Sequence, residues 1–161
     1  MLRTPLAGLA LTLIAGTVSA HGYKIGALEI GHPYATETAP GTPTAAGYLT
    51  ITNTGADPDR LIAVEADFPR VQIHNTEIDA GGVARMRHIE ALDLPPGATV
   101  TLAPRGTHVM FMGLPAPLEE GARIDATLVF EKAGAVAVHF NVEPRAAGAD
   151  TEAESMDHTG H

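Results

Sequence analysis

Apolar runs of five to eight residues, each closed by a strong turn signal, recur from Tyr23 onward, and this punctuation constrains the fold more than any other feature. The runs are Tyr23 to Ile30, Gly47 to Thr52, Arg60 to Val64 and Arg123 to Phe130. The breaks fall at Asn53 to Asp59, Asp79 to Gly82, Leu94 to Gly97, Pro104 to Gly106 and Lys132 to Gly134. Runs this short cannot make ordinary helices, and the spacing of Gly, Pro, Asn and Asp between them is that of an all-β sandwich or barrel. The last run alternates cleanly: Val136, Val138, Phe140 and Val142 take one face of a strand, and Ala137, His139 and Asn141 the other. His139 is therefore expected to be an exposed strand residue. With no cysteine in the chain, the core must hold without disulfides.

The two ends read differently. Arg3, the apolar run from Leu6 to Ile14 and the small residues Val18-Ser19-Ala20 have the three parts of a secretory signal, with cleavage expected after Ala20 and a mature chain starting at His21. That apolar run is too short to span a bilayer and nothing later approaches it, so a soluble exported product without stable membrane insertion is expected. Without cysteine, a thioether-linked lipid anchor is not expected either. Residues 21–144 form one domain, large enough for a core of its own. From Arg145 to His161 the chain is small, acidic and without periodicity, which reads as a flexible tail. The net charge of −9 disfavours nucleic acid and anionic membranes as partners.

His74, Met86, His108 and Met110 stand out as a set of soft-metal ligands in a chain lacking thiols. Thioether sulfur binds Cu(I) well and Zn(II), Mg(II) or Ca(II) poorly, and imidazole supplies the other donors, so the set reads as a Cu(I) site. Strand alternation agrees. In Thr107 to Met112 it turns Val109 and Phe111 inward and His108, Met110 and Met112 outward; in Val71 to His74 it turns Val71 and Ile73 inward and His74 outward. Met86 and His88 share a face of a strand joined to that of His74 through the turn at Asp79 to Gly82. A hairpin plus a return strand carrying His108 and Met110 would complete a shallow site near one end of the sandwich, with Glu77 or Glu90 as acidic neighbours.

Other donors are secondary. His88 and Met112 each share a face with a proposed ligand. In the tail, Met156, His158 and His161, with Asp157 and the terminal carboxylate, suit Cu(II) better than Cu(I). A mature N-terminal His21 would chelate Cu(II) through its amine and imidazole. This gives the alternative reading of a copper oxygenase or Cu(II)-binding protein that uses His21, or else an oxygenase that uses His32 or another histidine. A binding or adhesion sandwich in which the four ligands are incidental is a further alternative. No nucleophile stands with a base, and no Gly-rich phosphate loop leads into a helix, so no enzyme activity is expected. A blue-copper electron carrier needs a Cys thiolate, and the chain has none.

The spacing of His74-Asn75, ten residues, Met86, twenty-one residues and His108-Val109-Met110 resembles the signature of the periplasmic PCuAC family of copper chaperones. The resemblance extends through His32-Pro33-Tyr34, Gly47 to Gly55, Asp59-Arg60-Leu61 and His108 to Leu114. Two positions depart from the family pattern: Asn75 stands where a methionine is optional, and Tyr34 where tryptophan is usual. The resemblance implies a cupredoxin-like Greek-key β-sandwich in the periplasm, with His74, Met86, His108 and Met110 as Cu(I) ligands. It further implies copper loading of a cytochrome oxidase, whose copper-site subunit or another copper chaperone would be the acceptor, and a Cu(II)-binding role for the His- and Met-containing tail. A monomer is the expectation for a diffusing carrier.

Overall fold

The computed structural model describes residues 22–145, and every regular element among them is a strand. In chain order they are β1 (Tyr23–Ile25), β2 (Leu28–Thr36), β3 (Thr44–Asn53), β4 (Asp59–Ala66), β5 (Arg70–Ile78), β6 (Ala84–Ile89), β7 (Leu92–Leu94), β8 (Thr99–Leu102), β9 (His108–Met112), β10 (Arg123–Phe130) and β11 (Gly134–Glu143). The proposed signal, His21, and the tail donors Met156, His158 and His161 lie outside the described residues.

Hydrogen bonding runs through the order β6-β5-β9-β3-β2-β11-β10-β4-β7, with β1 added to β2 and β8 to β3. All pairs are antiparallel except β2 with β11. Three strand steps separate β9 from β11, which in a flat sheet would be about 14 Å. Yet the rings of Phe111 on β9 and Phe140 on β11 meet edge to face at 5.4 Å. The sheet therefore folds over on itself, and its two halves pack as a cupredoxin-like sandwich around one core that includes Ile73, Val109, Phe111, Leu128, Phe130 and Phe140.

One expected strand is two. The run from Tyr23 to Ile30 folds as a tight hairpin in which Ile25 faces Leu28, because Gly26 adopts φ +56° and turns the chain within two residues. A second departure lies in β2. Leu28 and Ile30 point into the core, and simple alternation would send His32 and Tyr34 there too. Instead the register shifts between Gly31 and Tyr34, so that His32 and Pro33 together oppose the single residue Leu49. This bulge exchanges the faces: Pro33 and Ala35 become buried and His32 swings out at φ 45°. The last strand follows its predicted phase, with Val138, Phe140 and Val142 buried and His139 partly exposed beside Asp125.

Two local devices hold the layers. Gly47 lets the aromatic edges close, since a Cβ there would stand 2.8 Å from Phe111 Cε2 and 3.0 Å from Phe140 Cε1. Asp59 is buried at the start of β4 and accepts the backbone amides of Arg60, Lys132 and Ala133, which ties β4 to the turn between β10 and β11. Burial works to raise its pKa, but the amides and the Lys132 charge outweigh this and hold it below the ordinary carboxylate value.

Gly47→Ala should cost about 1–3 kcal/mol by overpacking the two rings, read from urea denaturation. Asp59→Ala should cost about 2 kcal/mol or more, since three amides lose their acceptor. A folded pKa below the unfolded value means that the ionised Asp59 contributes stability above about pH 4 and loses it as pH falls through the folded pKa. The difference between wild type and Asp59→Asn should shrink over that acid window, and a constant difference would refute the assignment.

Candidate metal centre

β6, β5 and β9 are neighbours, and their registers put three histidines in one row: His88 faces His74, and His74 faces His108. Neighbouring rings in the row lie 6.0 Å apart between centroids on each side of His74. Met86 sits two residues along β6, opposite Thr76, and Met110 two residues along β9, opposite Gln72 and Ala46. Directly paired residues share a sheet face, so all four proposed ligands and His88 stand on one face. The other face of the same strands carries Ile73, Val109 and Phe111, at most 3% exposed. The donor face is thus the one predicted from alternation.

The depth is not. All the donors were expected to project outward into a shallow site, whereas exposure runs from 59% at Met86 to 4% at His108. The cause is strand order: β6 is the sheet edge, but β9 lies between β5 and β3. The turn before β9 also packs beside β5, with the Thr76 amide donating to the Gly106 carbonyl. Glu77 is corrected as well. It lies on the opposite face of β5 and pairs with Arg87 at 3.4 Å. Asn75 shares that opposite face and accepts from the Thr107 hydroxyl, so its departure from the family pattern leaves the donor face unchanged. Met112 lies on the donor face but one rung farther out, between Arg70 and Thr44.

Hydrogen bonds fix which nitrogen each ring offers. His108 Nδ1 lies 3.0 Å from the Gly106 carbonyl and His88 Nδ1 3.2 Å from the Ile73 carbonyl. A carbonyl only accepts, so both Nδ1 atoms are protonated and each Nε2 presents its lone pair. His74 is reversed. Its Nε2 lies 3.1 Å from Gln72 Oε1 and donates to it, which leaves the lone pair on Nδ1. That Nδ1 is the buried side-chain nitrogen without any partner among the described residues. Gln72 was missed from sequence, although it stands two residues before His74 and hence on its face. Burial, and then the nearby His108 and His88, lower the His74 pKa below its ordinary 6.5, so the ring stays neutral with its lone pair available. Among the described residues no three His, Cys, Asp or Glu side chains form a metal-holding group, and the thioethers of Met86 and Met110 flank the row on the same face.

A cavity of about 820 Å³ opens beside the row. Met86, His108 and Met110 line it from the β6 and β9 side, and His32, Tyr34, Tyr48 and Glu143 from the β2, β3 and β11 side. Tyr34 packs on His32 at 4.9 Å and on Tyr48 at 5.1 Å.

Fold and site together define a class: a cupredoxin-like β-sandwich with a row of imidazoles and flanking thioethers on one sheet face. A profile of the LpqE-like family, described as "Putative lipoprotein LpqE-like", matches residues 28–142, and the chain belongs to that family. The same description of lipoprotein is carried by Lxx21020 of Leifsonia xyli subsp. xyli (strain CTCB07), 34% identical over 93 residues. That alignment spans 57% of this chain and only 56% of the relative. Among solved structures, the copper-bound PCuAC domain from PmoF2 is 36% identical with TM-score 0.66, and covers 78% of this chain and 99% of that domain. The apo PCuAC domain from PmoF1 is 33% identical with TM-score 0.67, covering 78% and 100%. Apo-DR1885 from Deinococcus radiodurans, solved in solution, is 25% identical with TM-score 0.59, covering 91% and 98%. These neighbours match the PCuAC resemblance of the His and Met spacing. No helix among the described residues is long and apolar enough to cross a membrane.

The lowered pKa of His74 carries a sign. Protonation favours the unfolded chain, so the contribution of the neutral ring is complete above pH 6.5 and is lost as pH falls from there through the folded pKa. In metal-free protein the stability of wild type relative to His74→Gln should therefore decline between about pH 7.5 and pH 5. A gap that stays constant in urea melts across that range would contradict the assigned burial of the neutral ring.

Proposed function

We propose that this protein is an exported copper metallochaperone that carries Cu(I) on His74, Met86, His108 and Met110. The observation that carries this reading is the buried, unpartnered Nδ1 of His74, in register with the buried His108. A buried lone pair without a partner is costly, and a bound cation removes that cost. A proton is disfavoured there by the lowered pKa, whereas a soft monovalent ion gains two imidazoles and two thioethers. The copper-bound PCuAC domain from PmoF2 and the CuI-DR1885 structure from Deinococcus radiodurans support the reading.

The role is carriage, not catalysis. Buried His108 anchors the ion, and exposed Met86 on the edge strand is the ligand that an incoming partner displaces first. The proposed acceptor is the copper-site subunit of a cytochrome oxidase, or another copper chaperone, in the periplasm. The tail donors Met156, His158 and His161 are proposed as an auxiliary site for Cu(II).

An anaerobic Cu(I) titration against a chromophoric chelator tests the site. The protein should take one tight equivalent, and Met86→Ala and Met110→Ala should each weaken it about tenfold or more, or about 1.4 kcal/mol. Zn(II) binding should hardly change. Absence of a tight Cu(I) equivalent, or equal losses for both metals, would overturn the proposal.

A further inference from the structure

We propose that His88 is a further copper ligand, which replaces His108 when Cu(I) moves from the buried side of the site to the edge strand β6 for release. The inference rests on the proposed carriage of Cu(I) by His74, Met86, His108 and Met110, and adds a second position for the same ion.

Strand register gives the first argument. His74 on β5 faces His108 on β9 to one side and His88 on β6 to the other. Gln72, two residues before His74, faces Met110, and Thr76, two residues after it, faces Met86. The donors therefore form two groups on one sheet face, each of two imidazoles and one thioether, related by a half turn about the shared His74. The inner group is His74, His108 and Met110, and the outer group is His74, His88 and Met86. Ring centroids lie 6.0 Å apart on both sides of His74. A metal–imidazole bond of about 2 Å, with about 1 Å more from the nitrogen to the ring centre, lets one ion join two rings at this separation.

The fixed ring of His88 gives the second. Its Nδ1 lies 3.2 Å from the Ile73 carbonyl and carries the proton, so Nε2 holds the lone pair, as it does in His108. A carbonyl that holds the other ring nitrogen is what orients a metal-binding imidazole. His74 has a single lone pair, on Nδ1, and so serves one position at a time. As the ion moves outward, a bond to His88 Nε2 forms while those to His108 and Met110 break, and His74 and Met86 stay bound. The ion remains Cu(I), and only metal–donor bonds change. Exposure sets the direction of the step: His108 is 4% exposed and Met86 59%, and His88 is exposed on the edge strand. A partner arriving at that edge meets the ion in the outer group.

His88→Asn is the test variant, because asparagine keeps an N–H donor for the Ile73 carbonyl and removes Nε2. The full chain is loaded anaerobically with one Cu(I) equivalent. Affinity and the rate of transfer to a chromophoric chelator are then measured for wild type, H88N, M110A and H88N/M110A. With the inner donors intact, His88→Asn should leave the affinity within about threefold and slow transfer about tenfold. Met110→Ala weakens the inner group, and in that background His88→Asn should cost about tenfold in affinity. An unchanged transfer rate, or equal affinity losses in the two backgrounds, overturns the inference and leaves the four-ligand reading standing. Absence of a tight Cu(I) equivalent in wild type overturns both.

Discussion

The arrangement of this protein depends on one constraint: side chains on neighbouring β-strands alternate together. Once Ile73 of β5 and Val109 and Phe111 of β9 are buried beneath the sheet, His74, His108 and Met110 have to stand above it. A slip of one residue in either register would put the donors into the core and the core residues into solvent, at the loss of several buried side chains. The donor face is thus specified by the packing under it. Gly47 belongs to the same arrangement, because the closeness of Phe111 and Phe140 sets how tightly the layer carrying the donors sits on its partner.

The three imidazoles in the row are chemically alike, yet the structure makes them unequal. His108 is buried in the middle of the sheet with its Nδ1 committed to a carbonyl, whereas His88 stands on the exposed edge strand. His74 lies between them with its tautomer reversed by Gln72. These contacts set each ring's orientation before any ligand arrives, so less order has to be gained on binding. The exposed side of the set, at Met86, is where ligand exchange meets the least obstruction. The proposed carrier role draws on both properties: a fixed inner side to keep the cargo and an open outer side to release it.

The bulge at His32 and Pro33 shows how a single irregularity redirects chemistry. Without it, His32 and Tyr34 would keep the phase of Leu28 and Ile30 and be buried. With it, they line the cavity shared with His108 and Met110, and Tyr34 and Tyr48 stack there. Burial, and for Tyr34 the charge of Glu143, raise the pKa of both phenols, so they remain neutral. The β2–β11 side of the cavity therefore combines neutral aromatic walls with a histidine and a carboxylate, unlike the thioether-lined side opposite.

The strand class, the phase of β5, β9 and β11, and the four proposed soft donors with the face they occupy were legible in the amino-acid order, because alternation and turn chemistry are local and donor softness belongs to the residue. It did not reveal that the run from Tyr23 to Ile30 is a hairpin, that His88 aligns with His74, that Glu77 faces away from the donors, or that His108 is buried. Those depend on which strand lies beside which, and strand order follows from how the whole core closes. They emerge only when the strands are assembled, because the burial and protonation of a histidine depend on atoms contributed by strands distant in sequence.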